Sequence, residues 1–328
     1  MVNKKFVFGI MILVLMISAI SACQPAPQTA GEQKAAQGSG EKASISISGA
    51  FAIYPMMVRW AEEYQKIHPN VQIDVSAGGA GKGMSDALGG MVEIGMVSRD
   101  VKKEETEQGA FDIAICKDAV FPTINEKNPA VKELFETGFK KEFLSSIYFE
   151  GKSATWGDAV NIPEIKDAIN VYTRSDACGA AEVWAKFIAD GKQESLIGIG
   201  VSGDPGLLDA VKKDVMGIGY NNLNYAFDDT TGKPVIGALV APIDFNGNGK
   251  ADENEIMDTK EKAVKAVASG DYPEPPARLL HLVTKGKPTG ATLDFLTWIL
   301  NDGQNYLEEV GYIAQKPDQL AAQKDKLK

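Results

Sequence analysis

Two glycine-rich loops, each leaving an extended run and entering a helical one, constrain this chain more than any other feature. The alternating run Val71-Gln-Ile-Asp-Val75 passes into SAGGAGKGMSDAL, Ser76 to Leu88. The run Asn170 to Thr173 passes through Arg174 into Ala177-Cys178-Gly179-Ala180, which opens a helical stretch. Strand, small-residue turn and helix make the repeating unit of an α/β fold. The turn also has a chemistry. The first amides of a helix have no carbonyl one turn back, the positive end of the dipole lies behind them, and small residues let a ligand reach them. Arg174 adds a permanent charge, so two such loops face to face form a clamp for an anion.

The rest of the chain alternates in the same way. Ser44 to Ser48 has period two, and Pro55 to His68 carries Met57, Trp60, Tyr64 and Ile67 at helical spacing before Pro69. Further strands are predicted at Ile94–Val97, Phe111–Ile115, Val120–Ile124, Ile169–Thr173, Gly217–Tyr220 and Leu279–Thr284, and helices at Thr259–Ser269 and Thr292–Glu309. Trp60, Trp184 and Trp298 read as helix-face core, and Trp156 as a neighbour of the cleft. Residues 43–328 suffice for two domains of ordinary size. A net charge of −10 without any basic run argues against nucleic acid as a partner. It does not oppose a small anion, because local amides and one arginine decide that field.

Catalysis finds little support. The chain has two histidines, His68 and His281, so zinc or triad chemistry lacks its usual groups. Cys178 at a helix start beside Arg174 has no identifiable base, and the chain reads as a non-enzyme. Cys116 and Cys178 could pair in an oxidising compartment or remain two separate thiols. Gly198-Ile-Gly200-Val-Ser-Gly203 fits a dinucleotide fingerprint in letter, but the following strand ends in Asn221 and Asn222 instead of an acid, so turn glycines before a helix explain it.

Upstream, Lys4 and Lys5 precede an uncharged run from Phe6 to Ile20 and the string Ile-Ser-Ala-Cys23, which describes a secretory signal. The string resembles a bacterial lipobox, which predicts cleavage before Cys23 and lipid on its sulfur. Gln24 to Lys42 contains no Val, Ile, Leu, Met, Phe, Trp or Tyr and cannot bury a core. The expected layout is therefore a signal peptide over 1–22 and a lipid-anchored flexible linker over 23–43, with the folded body facing the periplasm or the cell exterior.

Asp244-Phe-Asn-Gly-Asn-Gly-Lys-Ala-Asp-Glu-Asn-Glu255 matches the calcium-loop pattern. Asp244, Asn246, Asn248, Asp252 and Glu255 supply side-chain oxygens, Lys250 a backbone carbonyl, and Gly249 the sixth-position turn. The expectation is a structural calcium ion bracing an insertion; the alternative is a polar surface loop.

The fragments GAFAIYPMMVRWAEEYQ, SAGGAGKGMSDALGGMVEIGMVSRD, IAICKDAVFPTINEKNP, RSDACGA, MGIGYNN and LLHLVTKGKPTGATLDFLTWILNDGQNYLEEVGYI, in that order, resemble the phosphate-binding proteins of bacterial and archaeal ABC transporters. The match covers nearly everything from Ser44 to Ala314. The resemblance implies a two-lobed periplasmic-binding-protein fold of type II with the ligand cleft between the lobes. Lobe 1 would comprise 44–118 and about 226–328, with the 244–255 loop as its insertion, and lobe 2 would comprise 119–225. It implies capture of phosphate or a related anion and delivery to an ABC permease. The residues it assigns to the ligand are Tyr54, Gly79, Ala80, Ser98, Arg174, Cys178, Gly179 and Ala180. At Ala80, Cys178 and Ala180 the family typically has hydroxyls; each lost hydrogen bond to a charged ligand is worth about 1.5–3 kcal/mol. The competing reading is a calcium-braced extracellular sensor or interaction protein that kept this fold and lost phosphate capture.

Overall fold

One long strand joins the two halves of the molecule. The computed structural model describes residues 42–328, so the expected signal peptide, most of the linker and Cys23 lie outside the described residues. Nine strands are present among the described residues: β1 (Ala43–Gly49), β2 (Val71–Ala77), β3 (Ile94–Val97), β4 (Ala110–Asn125), β5 (Asn170–Arg174), β6 (Ile199–Val201), β7 (Gly217–Asn222), β8 (Ala238–Val240) and β9 (Ala277–Lys285). Their order is β2-β1-β3-β9-β4-β7-β5-β6, with β8 on β4. Residues 110–119 of β4 pair antiparallel with β9, and residues 120–124 pair antiparallel with β7. The first half of β4 thus closes one sheet and the second half opens another.

The sequence predicts two strands here, at Phe111–Ile115 and Val120–Ile124. They are instead continuous. A register shift between Ala114 and Cys116 absorbs the irregularity, and Asp118 stays inside by facing Arg278 of β9 at 3.4 Å. A buried charge reads as a turn in sequence until its partner, 160 positions away, is known.

Packing follows the two sheets. One apolar cluster joins residues 45–116 to 280–327, a second runs from Val120 to Ile243, and a third gathers Ala119, Phe121, Leu223, Phe227, Met257, Tyr272 and Ile313. The helix Tyr54–Ile67 enters at Pro55, whose missing N–H costs nothing in a first turn. Its buried stripe of Met56, Met57, Trp60, Ala61 and Tyr64 lies against the first sheet, each large side chain contributing about 1.5–3 kcal/mol.

Three further expectations change. Thr292–Glu309 is not one helix: Gly290–Leu300 is followed by a 3₁₀ turn, Asp302–Tyr306, and a short helix, Leu307–Val310. Trp60 Nε1 donates to the Gly303 carbonyl at 2.7 Å, a bond that holds this turn against the first helix. Trp156 is wholly buried in the second core, with Nε1 donating to Met216 O at 3.2 Å, and is not a cleft residue. The predicted calcium loop was expected in lobe 1. Its backbone docks on the 136–139 segment instead, through Asp244 N to Phe139 O (3.0 Å) and Ala251 N to Glu136 O (2.9 Å), and Phe139 and Ile243 belong to the second cluster.

Candidate anion-binding cleft

Arg174 ends β5 and is 4 % exposed, so its charge must be paired inside the protein. Two carboxylates do so. Asp176 accepts from Nε at 2.8 Å and Nη2 at 2.5 Å in a bidentate fork, and Asp204 accepts from Nη1 at 2.5 Å. Burial opposes the guanidinium charge, but Asp204, Cys178 and Asp176 outweigh it and hold Arg174 protonated above its ordinary value. Burial would likewise raise Asp176; the hydrogen bonds and charge of Arg174 reverse this and hold its carboxyl below the ordinary value. Asp204 is fully buried and also accepts from the Asn222 amide (3.0 Å) and Asn222 Nδ2 (2.7 Å). The Gly203 amide, at the start of the helix Gly203–Lys213, donates to Asp176 at 2.9 Å.

The other side of the cleft comes from the first sheet. The helix Ala80–Gly89 starts after Gly79, whose φ of +92° favours glycine; a Cβ there would also stand 2.7 Å from Ala177 O. The Gly81 amide donates across the cleft to Ala177 O at 2.9 Å. Gly179, first residue of the helix Gly179–Ala189, lies so close to the Ser98 backbone and hydroxyl that any Cβ would overlap them. Arg99 pairs with Glu105 (2.6 Å) and reaches Glu182 of that helix at 3.2 Å. The Phe51 ring covers Arg174, 5.3 Å from guanidinium carbon to ring centroid, and rests on Gly203. Tyr225 Oη donates to Phe51 O at 3.2 Å. The two loops expected to face each other do so, in contact.

Of the expected ligand residues, Gly79, Ala80, Ser98, Arg174, Gly179 and Ala180 all lie at this contact or on the helix starts that flank it. Two others are engaged elsewhere. The Tyr54 amide donates to Phe51 O at 3.1 Å, closing a turn, and it is the Phe51 ring that covers Arg174. The Cys178 amide donates to Gln193 Oε1 at 3.0 Å, and its sulfur caps its own helix by accepting from Ala181 N at 3.4 Å. Burial raises the Cys178 thiol to about 12, the opposite of what a nucleophile needs. Cys116 and Cys178 are both free and buried.

The sequence reading missed Phe51, Asp176, Asp204, Asn222 and Arg278. Arg278 is 4 % exposed; Nε donates to Ser98 O at 3.2 Å, Nη2 donates to Asn222 Oδ1, and Nη1 has no hydrogen-bond partner. A signal existed for some of them. Asp176 stands two residues after Arg174, and Asn221-Asn222 end a strand that is buried throughout, where polar side chains need a partner. Nothing local marks Phe51 or Arg278.

Residues 31–303 match the model of the PBP superfamily domain, the periplasmic-binding-protein type. The chain belongs to that superfamily. It is 28% identical to the phosphate-binding protein PstS of Bacillus subtilis over 92% of this chain and 93% of the relative. To the PstS of Methanocaldococcus jannaschii it is 27% identical, covering 91% of this chain and 88% of the relative. A solved phosphate ABC transporter substrate-binding protein of Clostridium perfringens, with phosphate bound, shares the fold at a TM-score of 0.67 and 24% identity, over 83% of this chain and all of that one. The α/β, two-lobed fold expected from the sequence is the one found.

Proposed function

We propose that this protein is an extracytoplasmic solute-binding protein that captures phosphate or a related small oxyanion between its lobes and delivers it to an ABC permease. The observation that carries the reading is the buried Arg174, set at the meeting of two helix starts, with Ser98 and Arg278 beside it. The N–H groups of Arg174 not used by Asp176 and Asp204, the first amides of the helices at Ala80 and Gly179–Ala180, and the Ser98 hydroxyl are an anion's natural donors. The names of the relatives point the same way. Lipid attachment at Cys23 would hold the protein at the membrane, beside the permease. Titration calorimetry of the full-length chain in detergent against phosphate and sulfate tests the reading; saturable binding lost in Arg174→Ala is expected, and no binding of any small oxyanion would remove it.

We also propose calcium as a structural brace in the 244–255 loop. The donor set is carboxylate and amide oxygen, which suits calcium. Asp244 and Glu255 are 4 % and 3 % exposed. Each is engaged within the loop: Asp244 accepts from Asn248 N and Gly249 N, and Glu255 from Phe245 N and Asp252 N. Asn246 and Asn248 donate to Asp252 at 2.7 and 2.9 Å, so calcium would have to replace these two bonds. Chelation should lower the melting temperature by a few degrees. Asp244→Ala with Glu255→Ala should abolish that response while leaving anion affinity within about threefold, roughly 0.6 kcal/mol.

A further inference from the structure

Asp118 stands on β4 where the strand leaves β9 for β7, 1 % exposed, and the proposed capture of an anion gives it no task. Neither of its oxygens has a hydrogen-bond partner among the described residues. The Ala119 and Leu223 amides lie near without reaching bonding geometry, and Arg278 stands 3.4 Å away with its hydrogen bonds spent elsewhere. Arg278 Nε donates to Ser98 O and Nη2 to Asn222 Oδ1, while Nη1 has no partner. A buried carboxylate so placed is held by charge alone.

The same contacts tie Asp118 to the cleft. Asn222 Nδ2 donates to Asp204, and Asp204 accepts from Arg174, so a polar chain runs Arg174–Asp204–Asn222–Arg278, with Ser98 and Asp118 as its two branches. Around Asp118, Arg278 comes from β9, Asp204 from the helix Gly203–Lys213, Tyr225 from the helix Leu223–Ala226, Tyr312 from the segment after Leu307–Val310, and Cys116 from β4 itself. Lys117, its neighbour in the strand, pairs with Glu274. Burial raises the thiol and both phenols above their ordinary values, so they stay neutral, and Arg278 and Asp204 are the charges that act on Asp118. Burial raises the Asp118 carboxyl most, Arg278 pulls it back and Asp204 pushes it up again, to about 6.

The network already sets three acids, Asp118, Asp176 and Asp204, against two cations, Arg174 and Arg278. An anion held at Arg174 and Ser98 adds like charge where water cannot screen it, which disfavours an ionised Asp118. A proton on Asp118 relieves the repulsion and leaves Arg278, with its unpartnered Nη1, to balance the anion. We propose that anion capture is coupled to proton uptake by Asp118, the acid at the junction of the two lobes, so that affinity rises as pH falls. This rests on the anion-capture reading and adds a regulation to it.

The test is calorimetry of the full-length chain against inorganic phosphate near pH 8 and near pH 5, on the wild type and on Asp118→Asn, which is neutral at both. The ionisation of phosphate itself is common to the two proteins and cancels in their ratio. With a coupling of about one pKa unit, Asp118→Asn should bind phosphate about tenfold tighter than the wild type at the higher pH and within about twofold of it at the lower. A ratio that does not change with pH overturns the inference while leaving anion capture intact. Absence of binding by the wild type at both pH values overturns both. If Asp118→Asn proves unfolded by its melting curve, Asp118→Ala takes its place in the same comparison.

Discussion

The two sides of the cleft are built on different principles. The side from the second sheet holds charge: Arg174, Asp176 and Asp204 form a buried network in which every member is tied by distances of 2.5–2.8 Å. The side from the first sheet brings its charges already paired, Arg99 with Glu105 and Arg278 with Asp118. It offers Gly79, Ala80, Ser98 and the Phe51 ring, and it meets its partner through backbone contact, Gly81 N to Ala177 O and Ser98 against Gly179. The difference separates two jobs. On the proposed function, one side would set how strongly an anion is held and the other how closely the lobes can approach.

That division can be broken in order of effect. Arg174→Ala leaves two buried carboxylates unpaired and should destabilise the protein by about 3–5 kcal/mol as well as weaken anion binding at least about a hundredfold. Chemical denaturation reads the first loss and calorimetry the second. Adding Asp204→Asn should recover part of the stability and none of the affinity.

Asp118, on the strand that both sides share, tests the buried pair it makes with Arg278. Burial raises its carboxyl from 3.8 to about 6 although Arg278 pulls it down. The folded state therefore binds a proton that the unfolded state has released, and stability falls as pH rises from about 4 to about 6. Asp118→Asn should remove that fall, worth about 2–3 kcal/mol, in urea titrations across this range. Asp112, lowered from 3.8 to about 2 chiefly by its hydrogen bond with His281, has the opposite sign: its contribution is present above about pH 4 and is lost as pH falls toward 2. Asp112→Asn should flatten the acid limb and leave the range from 4 to 6 unchanged.

Gly179→Ala tests the contact between the two sides, with the smallest expected effect. The added methyl must displace the Ser98 backbone, so the lobes stop short of contact and anion affinity should fall about tenfold, roughly 1.4 kcal/mol. The melting temperature of the ligand-free protein should change by a few degrees at most. A loss of stability as large as that of Arg174→Ala would show that both sides bear load, and the division of labour would fail.

What could be read from the sequence follows the same line. Both loops, the positions of Gly79 and Gly179 and the charge of Arg174 were legible because a strand, a small-residue turn and a helix are local patterns. The closing contacts were not, since Phe51 over Arg174, Arg278 on Ser98 and Arg99 to Glu182 join residues distant in the chain. The same limit explains β4: Asp118 looked like a break because its partner lies on β9. The resemblance assigns Tyr54 and leaves Phe51 unmarked, because the turn that brings Phe51 over Arg174 depends on a backbone bond no pattern announces.

The shared strand also sets a timetable for synthesis. Residues 110–119 have no partner on one side until β9 emerges, and the first core stays open until residues 280–327 are made. The second core, with Val120 to Ile243, is complete earlier. On a ribosome the half that begins the chain is therefore the half that finishes last, with long-range pairing that is intrinsically slow and apolar surface exposed meanwhile to chaperones. Delayed closure of this kind would keep a newly made chain threadable, as the proposed export through a membrane before folding requires.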